Sequence, residues 1–506
     1  MTDRHEPQLY GIFAGEMNHQ QAISAGHEKT LEVAKLVLLE GGNAFDASIA
    51  AALAMFLTEP CMASAGAGGF ALCHKHGELP IMLDFFPQTP RQKPILENRD
   101  FYPIDVNFGI EVETFHVGLA SAAVPGTIAG LYAMHRKFGS MPMAELIAPA
   151  MDLARSGVVL NTFQSIDLEL LEVIFRVDPT VRDIFFINDE RKKEGDLLHF
   201  PLFPDFLQFL KDEGEHGFYK GEIGRKVAAD SLDRGGYLRR DDFENYRAIW
   251  RKPLNIPWHN KELYLPNGPS LGGALIALIL GYLDIYDGDW VRTIAQIKSR
   301  YQHPIQIAKR LETLHPELDY HFEGPELSTK GTTHFNVADK WGNAVSFTTS
   351  LGEGSGYFIP GTNMQMNNVM GESFLLPNGF HSWKENVRLN SMMTPTMVVD
   401  GNGTFQYAGG SGGAGRIPFM ISQVLVALFD ERMSLEEATT KPRIHVHEDL
   451  LHFEKGAMLN PHDFERTKEW DYKSLFFGGV HSVFRGKDGH LEACGDARRY
   501  GVAEVF

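Results

Sequence analysis

This sequence predicts an α+β protein built from stacked antiparallel sheets flanked by helices, and three observations carry that prediction. Helical and strand-like segments come in blocks rather than in strict alternation, which disfavours a doubly wound parallel fold. After Thr332 the chain turns to short strands separated by Gly/Asn turns, with one helical stretch at 418–429. Hydrophobic residues make up 43% and charged residues 22% of the 506, a composition that can bury a large core. Length alone would suggest about three domains, and no fixed-period repeat is present.

Within residues 28–40, Leu31, Ala34, Leu36, Val37, Leu38 and Leu39 form a helical apolar pattern that stops at Gly41-Gly42. Asn43 suits the cap of a second, Ala-rich helix running to about Leu57; apolar on most sides, it is expected to be buried. The small-residue turn at 64–70 leads into a strand at Ala71, Leu72 and Cys73. Val124-Pro125-Gly126 precedes an Ala/Leu helix, and residues 146–154 form another. Residues 161–215 are mixed, and the charged run 190–194 reads as a solvated loop. Residues 315–330, with Pro316, Gly324 and Pro325, read as a linker.

The formal net charge of −18, with no basic stripe to offset it, argues against nucleic acid and anionic membrane as partners. Cys61, Cys73 and Cys494 are too few and too odd in number for a disulfide framework, and their apolar or Gly-rich contexts suit buried small hydrophobes. The first residues lack the apolar core of a signal peptide, and no uncharged apolar run reaches about 18 residues. The cytoplasm is the expected compartment.

Lys330-Gly331-Thr332-Thr333-His334-Phe335 opens the block of strands. A buried strand accounts for Phe335 and Val337, but not for a Gly-Thr-Thr step after a linker. A hydroxyl directly after a glycine carbonyl suits self-cleavage: attack by Thr332 on Gly331 would free the Thr332 α-amine, which then serves as base for its own hydroxyl. Downstream, Asp339-Lys340-Trp341-Gly342-Asn343 suits a three-residue hairpin loop with Gly342 in the left-handed position. That loop places Thr332 opposite Ser350, with Cβ atoms about 4.5–5.5 Å apart. Thr332, His334 and Asn336 then share one face, as do Ser346, Thr348 and Ser350; a solvent-facing sheet surface explains the same pattern. The run 409–416 is too glycine-rich for a strand. Its amides could converge on an oxyanion or simply form a turn before the next helix; Arg416-Ile417 stands where a phosphate loop needs Lys and Ser or Thr. His445 and His447 are explained as alternate strand residues rather than metal ligands, and His334 as a packed or surface residue.

On these residues the chain resembles the gamma-glutamyltranspeptidase family of N-terminal nucleophile hydrolases. The likeness spans nearly the whole length, through Glu40-Gly41-Gly42-Asn43-Ala44-Phe45-Asp46-Ala47, Glu59-Pro60, Val124-Pro125-Gly126, Phe218-Tyr219-Lys220-Gly221 and Pro269-Ser270-Leu271-Gly272-Gly273. After Gly331-Thr332-Thr333-His334 it continues with Pro360-Gly361-Thr362, Asn367-Asn368, Ser391-Met392, Lys441-Pro442-Arg443 and Gly478-Gly479-Val480. The resemblance implies a four-layer αββα sandwich and a proenzyme cut between Gly331 and Thr332. Residues 1–331 would form the large fragment and 332–506 the small one, staying associated as one interleaved unit. It implies Thr332 as nucleophile and Ser350 as the hydroxyl bonded to it. Oxyanion amides fall at Gly412 and Gly413 or, aligned from Arg416, at Gly413 and Ala414. The implied activity is that of a γ-glutamyltransferase or glutathione hydrolase, passing an acyl group from a small-molecule amide to water or an amine, with no metal or organic cofactor. The oligomeric state is left open, a homo-oligomer included.

The pattern breaks in the substrate pocket. Phe86 stands where the family has an arginine that grips the substrate α-carboxylate, and a phenyl ring cannot supply bidentate bonds. Arg91 and Lys93 are the nearby candidates to compensate. Gly352 and Val369 replace an asparagine and a glutamine, and Asn390 replaces the first of two serines, leaving Ser391 beside Met392. Glu372 matches the acidic residue that receives the substrate amine. Because a polar pocket discriminates strongly, these changes point to a γ-glutamyl group held differently or to a less polar acyl group of the glutaryl or cephalosporin type. The rival expectation is an unprocessed, non-catalytic relative that binds a small amino-acid-like ligand.

Overall fold

The computed structural model describes residues 21–107, 112–301, 304–314, 331–372, 379–447, 449–459 and 464–506; the predicted linker at 315–330 lies outside them. The first sheet comprises β1 (Ala22–Ala25), β2 (Gly68–His74), β3 (Ile81–Asp84), β4 (Ile249–Arg251), β7 (Thr332–Ala338), β8 (Ala344–Ser350) and β16 (Val502–Val505). Its spatial order is β4-β3-β2-β8-β7-β1-β16, antiparallel throughout. The second sheet comprises β5 (Leu254–Trp258), β6 (Lys261–Leu265), β9 (Thr396–Asp400), β10 (Phe405–Gly412), β14 (Gly479–Arg485) and β15 (Leu491–Cys494), in sequential order and also antiparallel. A small sheet of β11 (Ile444–His447), β12 (Leu450–Glu454) and β13 (Thr467–Trp470) shares a core with it through Ile444, Val446, Leu451 and Trp470. Strands from before and after Thr332 thus pair within both large sheets.

Helices α1 (Glu28–Leu39) and α2 (Ala44–Thr58) cover the first sheet, with α3 (Thr127–Phe138) and α4 (Met143–Ser156) packed against α2. Asn43 caps α2 as its sequence predicts, accepting from the Phe45 and Asp46 amides while Asp46 returns a bond to the Asn43 N–H. All fifteen residues of α2 are buried, as an apolar surface on every side requires. Farther along come α5 (Thr162–Leu170), α6 (Phe203–Tyr219) and α7 (Gly272–Ile285); α7 and α8 (Ile417–Phe429) pack together, with α8 against the second sheet. Two cores result. One joins α1–α4 to Phe335, Val337, Val345 and Phe347, and the other joins α7 and α8 to the second sheet.

Two expectations need correction. The glycine run is a strand for half its length: β10 continues through Gly409, Gly410, Ser411 and Gly412 and pairs with β14. The reason is close approach of the two sheets. A Cβ on Gly410 would lie 2.4 Å from the His334 ring, and one on Gly412 would lie 2.2 Å from the Thr332 carbonyl oxygen. The charged run 190–194 is likewise more than a solvated loop. Glu190–Arg191 forms a short strand, and Lys192 is buried with its ammonium on the Asp183 and Leu197 carbonyls.

Candidate active site

The β7–β8 hairpin has the register its loop predicts. Asp339 meets Asn343 across the turn, Gly342 takes φ 84°, and Thr332 stands opposite Ser350. The polar face of the hairpin is not a solvent face. Thr332, His334, Asn336, Ser346, Thr348 and Ser350 are all buried, and they look across at the second sheet. Buried polar groups must find partners, and here they do. His334 bonds Thr348 Oγ1 at 2.8 Å and Asn336 Oδ1 at 3.0 Å, Asn336 donates to the His481 carbonyl at 2.9 Å, and Ser346 donates to the Gly409 carbonyl at 3.2 Å. Burial holds His334 down at about 3 and His481 at about 4, so both imidazoles are neutral at physiological pH.

At the open end of this layer lies the Gly331–Thr332 peptide. The Ser350 hydroxyl donates to the Gly331 carbonyl oxygen at 2.9 Å, and the Ser350 oxygen accepts from the Gly352 N–H at 3.1 Å. The Thr332 carbonyl oxygen accepts from Arg499 at 2.9 Å. Gly412 packs on that same carbonyl. The next residue, Gly413, turns left-handed (φ 116°, ψ 33°), and its N–H donates to no other described backbone group. An amide freed at that bend, one residue from the strand that touches Thr332, is suited to receive negative charge on an acyl oxygen.

The remaining predicted residues fall into two groups. Glu372 is buried beside Gly352, where a Cβ would lie 2.5 Å from its Oε1 and 2.2 Å from Asn368 Oδ1; the glycine is what leaves these two side chains room. Asn390 and Ser391 are buried and Met392 is half-buried on the segment that pairs with the turn at 267–271. Phe86 lies in the core, stacked on Phe70 at 5.4 Å. Arg91 reaches Asn386 and Asp241, while Lys93 holds the Trp383 carbonyl and covers its ring, so both are engaged with other segments.

Sequence reasoning misses four ionisable groups around Thr332. Arg499 is buried, and Glu59, Asp167 and Glu353 surround it electrostatically. Glu59 ends α2 and accepts from the Thr333 hydroxyl at 2.7 Å; Asp167 lies on α5. Burial pushes both carboxyls up to about 7, against the opposing pull of Arg499. Glu59 stands out in the sequence only as part of a shared Glu-Pro step, while Asp167, Glu353 and Arg499 have no local pattern; only the fold gathers them. Arg499 is set in place by its neighbours: Arg498 pairs with Glu454 and Asp496, and Asp496 pairs with Arg443, all buried. A cavity of about 470 Å³ opens beside Gly331 and Gly413.

Comparison with known proteins follows this geometry. The family model described as Gamma-glutamyltranspeptidase matches residues 30–311 and 290–506. The chain is 27% identical over 536 residues to a glutathione hydrolase proenzyme of Pseudomonas aeruginosa, covering 96% of this chain and 94% of that one. It is 27% identical over 477 residues to the acylase ACY 1 proenzyme of Pseudomonas sp. strain V22, covering 87% and 83%. Among solved structures, a cephalosporin acylase from Bacillus halodurans superposes with a TM-score of 0.80 over 100% of this chain and 99% of that one; at 20% identity this is a likeness of fold.

Proposed function

We propose, from the premise that this chain belongs to the gamma-glutamyltranspeptidase family, that the Gly331–Thr332 peptide is its first substrate and that small-molecule acyl amides are its later ones. It is a self-processing amidohydrolase and acyltransferase of the N-terminal threonine type, in keeping with the proenzyme relatives. The observation that carries this reading is the Ser350 hydroxyl bonded to the oxygen of the carbonyl group whose carbon Thr332 must attack. In self-cleavage the Thr332 oxygen adds to the Gly331 carbonyl carbon, the C–N bond breaks with a proton passing to nitrogen, and an ester remains. Water then cleaves the ester, returning the hydroxyl and leaving Thr332 with a free amine. An α-amine titrates near about 7.7–8.0, so at neutral pH it can take the hydroxyl proton in each later turnover. Gly413, with Gly412 or Ala414, is assigned to the oxyanion and Glu372 to the substrate amine.

The acyl group is γ-glutamyl or a related acid. The buried phenyl ring of Phe86 favours an acyl group that lacks the α-carboxylate, because Arg91 and Lys93, the nearby cations among the described residues, are held elsewhere. The test is a panel of γ-glutamyl, glutaryl and arylacetyl anilides on processed protein, with acid-quenched samples weighed by mass spectrometry. The 332–506 fragment is expected to gain the mass of one acyl group, and arylacetyl donors to exceed γ-glutamyl. Turnover with no acylated fragment would defeat the threonyl ester; γ-glutamyl turned over as well as any other donor would defeat the Phe86 argument.

A further inference from the structure

Before the chain is cut Thr332 has no α-amine, so the base that serves later turnovers is missing from the first reaction. Self-cleavage still needs a group that takes the Thr332 hydroxyl proton and returns one to the departing nitrogen. We propose that Glu59 is that group: its carboxylate takes the proton through one bridging water in a small cavity beside Thr332, and gives it back to the Thr332 nitrogen. The proposal rests on the reading of Thr332 as nucleophile and concerns the processing step alone.

The cavity has a volume of about 10 Å³, room for a single water, and its lining includes Glu59, Thr332, Thr333, His334, His481 and Arg499. Glu59 is only 2% exposed. Its Oε1 accepts from the Thr333 hydroxyl at 2.7 Å, and its Oε2 is buried with no hydrogen-bond partner among the described residues. A buried carboxylate oxygen requires a donor, and a water in this cavity supplies one. The two imidazoles cannot take the proton instead. His334 donates from Nε2 to Asn336 Oδ1, which leaves Nδ1 to accept from the Thr348 hydroxyl, so both nitrogens are spent. His481 accepts from the Asp496 N–H at Nδ1 (3.2 Å), so in the neutral ring its other nitrogen already carries the proton. Arg499 is a donor only and holds the Thr332 carbonyl. Glu353 lines the 470 Å³ cavity near Gly331 and does not line this one.

The step balances without a co-reactant. The hydroxyl proton passes through the water to the Glu59 carboxylate as the Thr332 oxygen bonds to the Gly331 carbon. The carboxylic acid returns that proton to nitrogen as the C–N bond breaks, leaving the ester and an ionised Glu59. Such a carrier is most effective when its pKa lies near the working pH. Burial raises the Glu59 carboxyl to about 7; the Thr333 hydroxyl and Arg499 pull the other way, and Asp167 on α5 adds to the rise. Among the other titratable groups nearby, burial lifts Asp167 to about 7 as well and holds the Cys61 thiol protonated. His27 at the start of α1, His334 and His481 are held neutral by burial, and Glu353 faces Arg499 from the far side. Glu59 therefore changes charge across neutral pH. Only its ionised form can accept the proton, so processing quickens as pH rises through about 7.

The test follows freshly synthesised full-length chain on denaturing gels across neutral pH, for the wild type, Glu59→Gln and Glu59→Asp. Wild-type cleavage at Gly331–Thr332 is expected to quicken through neutral pH and then level off. Glu59→Gln keeps an acceptor for the Thr333 hydroxyl but no titrating group; it should slow cleavage about 10²–10⁴-fold at the plateau and flatten the profile. Glu59→Asp keeps a carboxylate and should retain the rise with pH. A glutamine variant that cleaves at the wild-type rate, or a wild-type rate that does not change with pH, overturns the proposal. Denaturant unfolding shows whether the glutamine chain is folded; should it not be, the wild-type and aspartate profiles decide, and flat profiles overturn the proposal. A wild-type chain that stays whole at every pH defeats the reading of Thr332 itself, and this proposal with it.

Discussion

The two faces of β7 do opposite work on one seven-residue strand. On one side Thr333, Phe335 and Val337 turn toward α2; Phe335 stacks on Phe347 at 4.8 Å, and Phe347 in turn on Phe85 at 5.0 Å. On the other, Thr332, His334 and Asn336 meet a second sheet through hydrogen bonds and through glycines that allow the backbones to approach. Both faces are fully buried, so burial alone does not separate them. What separates them is tolerance: an apolar face loses stability smoothly as volume is removed, while a buried polar face depends on each bond being made.

Four substitutions would break or sharpen this contrast. Phe335→Ala should cost about 3–5 kcal/mol by denaturant unfolding, through lost burial and a cavity in the ring stack. Ser350→Ala leaves the buried Gly331 carbonyl and Gly352 N–H without this partner and should cost about 1–3 kcal/mol; it should also slow self-cleavage about 10²–10³-fold, the usual effect of losing one donor to a reacting oxygen, which a gel time course reads. If cleavage keeps its rate, the polar face does not serve the reaction. Gly410→Ala forces a methyl into the His334 ring and should destabilise by about 1–3 kcal/mol while also slowing cleavage.

The smallest effect concerns Glu59, between the two faces at the end of the strand. Its carboxyl is raised from an ordinary 4.5 to about 7, with burial as the main cause. The folded state therefore holds a proton that the unfolded state has released, and stability present below about pH 4.5 is lost as pH rises through 7. Glu59→Gln keeps an acceptor for the Thr333 hydroxyl and removes the titration. The fall in unfolding free energy between pH 5 and pH 7.5 should shrink by about 1–3 kcal/mol; Asp167, shifted the same way, supplies what dependence is left.

The sequence made legible those features that depend on local period and turn chemistry. The helix at 44–58 follows from Asn43 and an apolar run, and the Thr332–Ser350 pairing follows from one glycine at position 342. Two things were hidden. The glycine run looked incompatible with a strand because the need for glycine came from His334 and Thr332, some eighty residues earlier in the chain. The charged set around Thr332 joins α2, α5, the residue after Gly352 and the C-terminal segment, a convergence that no local spacing encodes. Phe86 was visible as a departure, and its place against Phe70 adds that the ring serves packing.

Protein purified after prolonged incubation, sequenced from its amino termini and weighed intact, tests the central claim most directly. The account predicts a fragment spanning 332–506 that begins Thr-Thr-His-Phe in the wild-type chain, and a single uncut polypeptide in Thr332→Ala. A wild-type chain that stays whole, or a cut at any other bond, would contradict it.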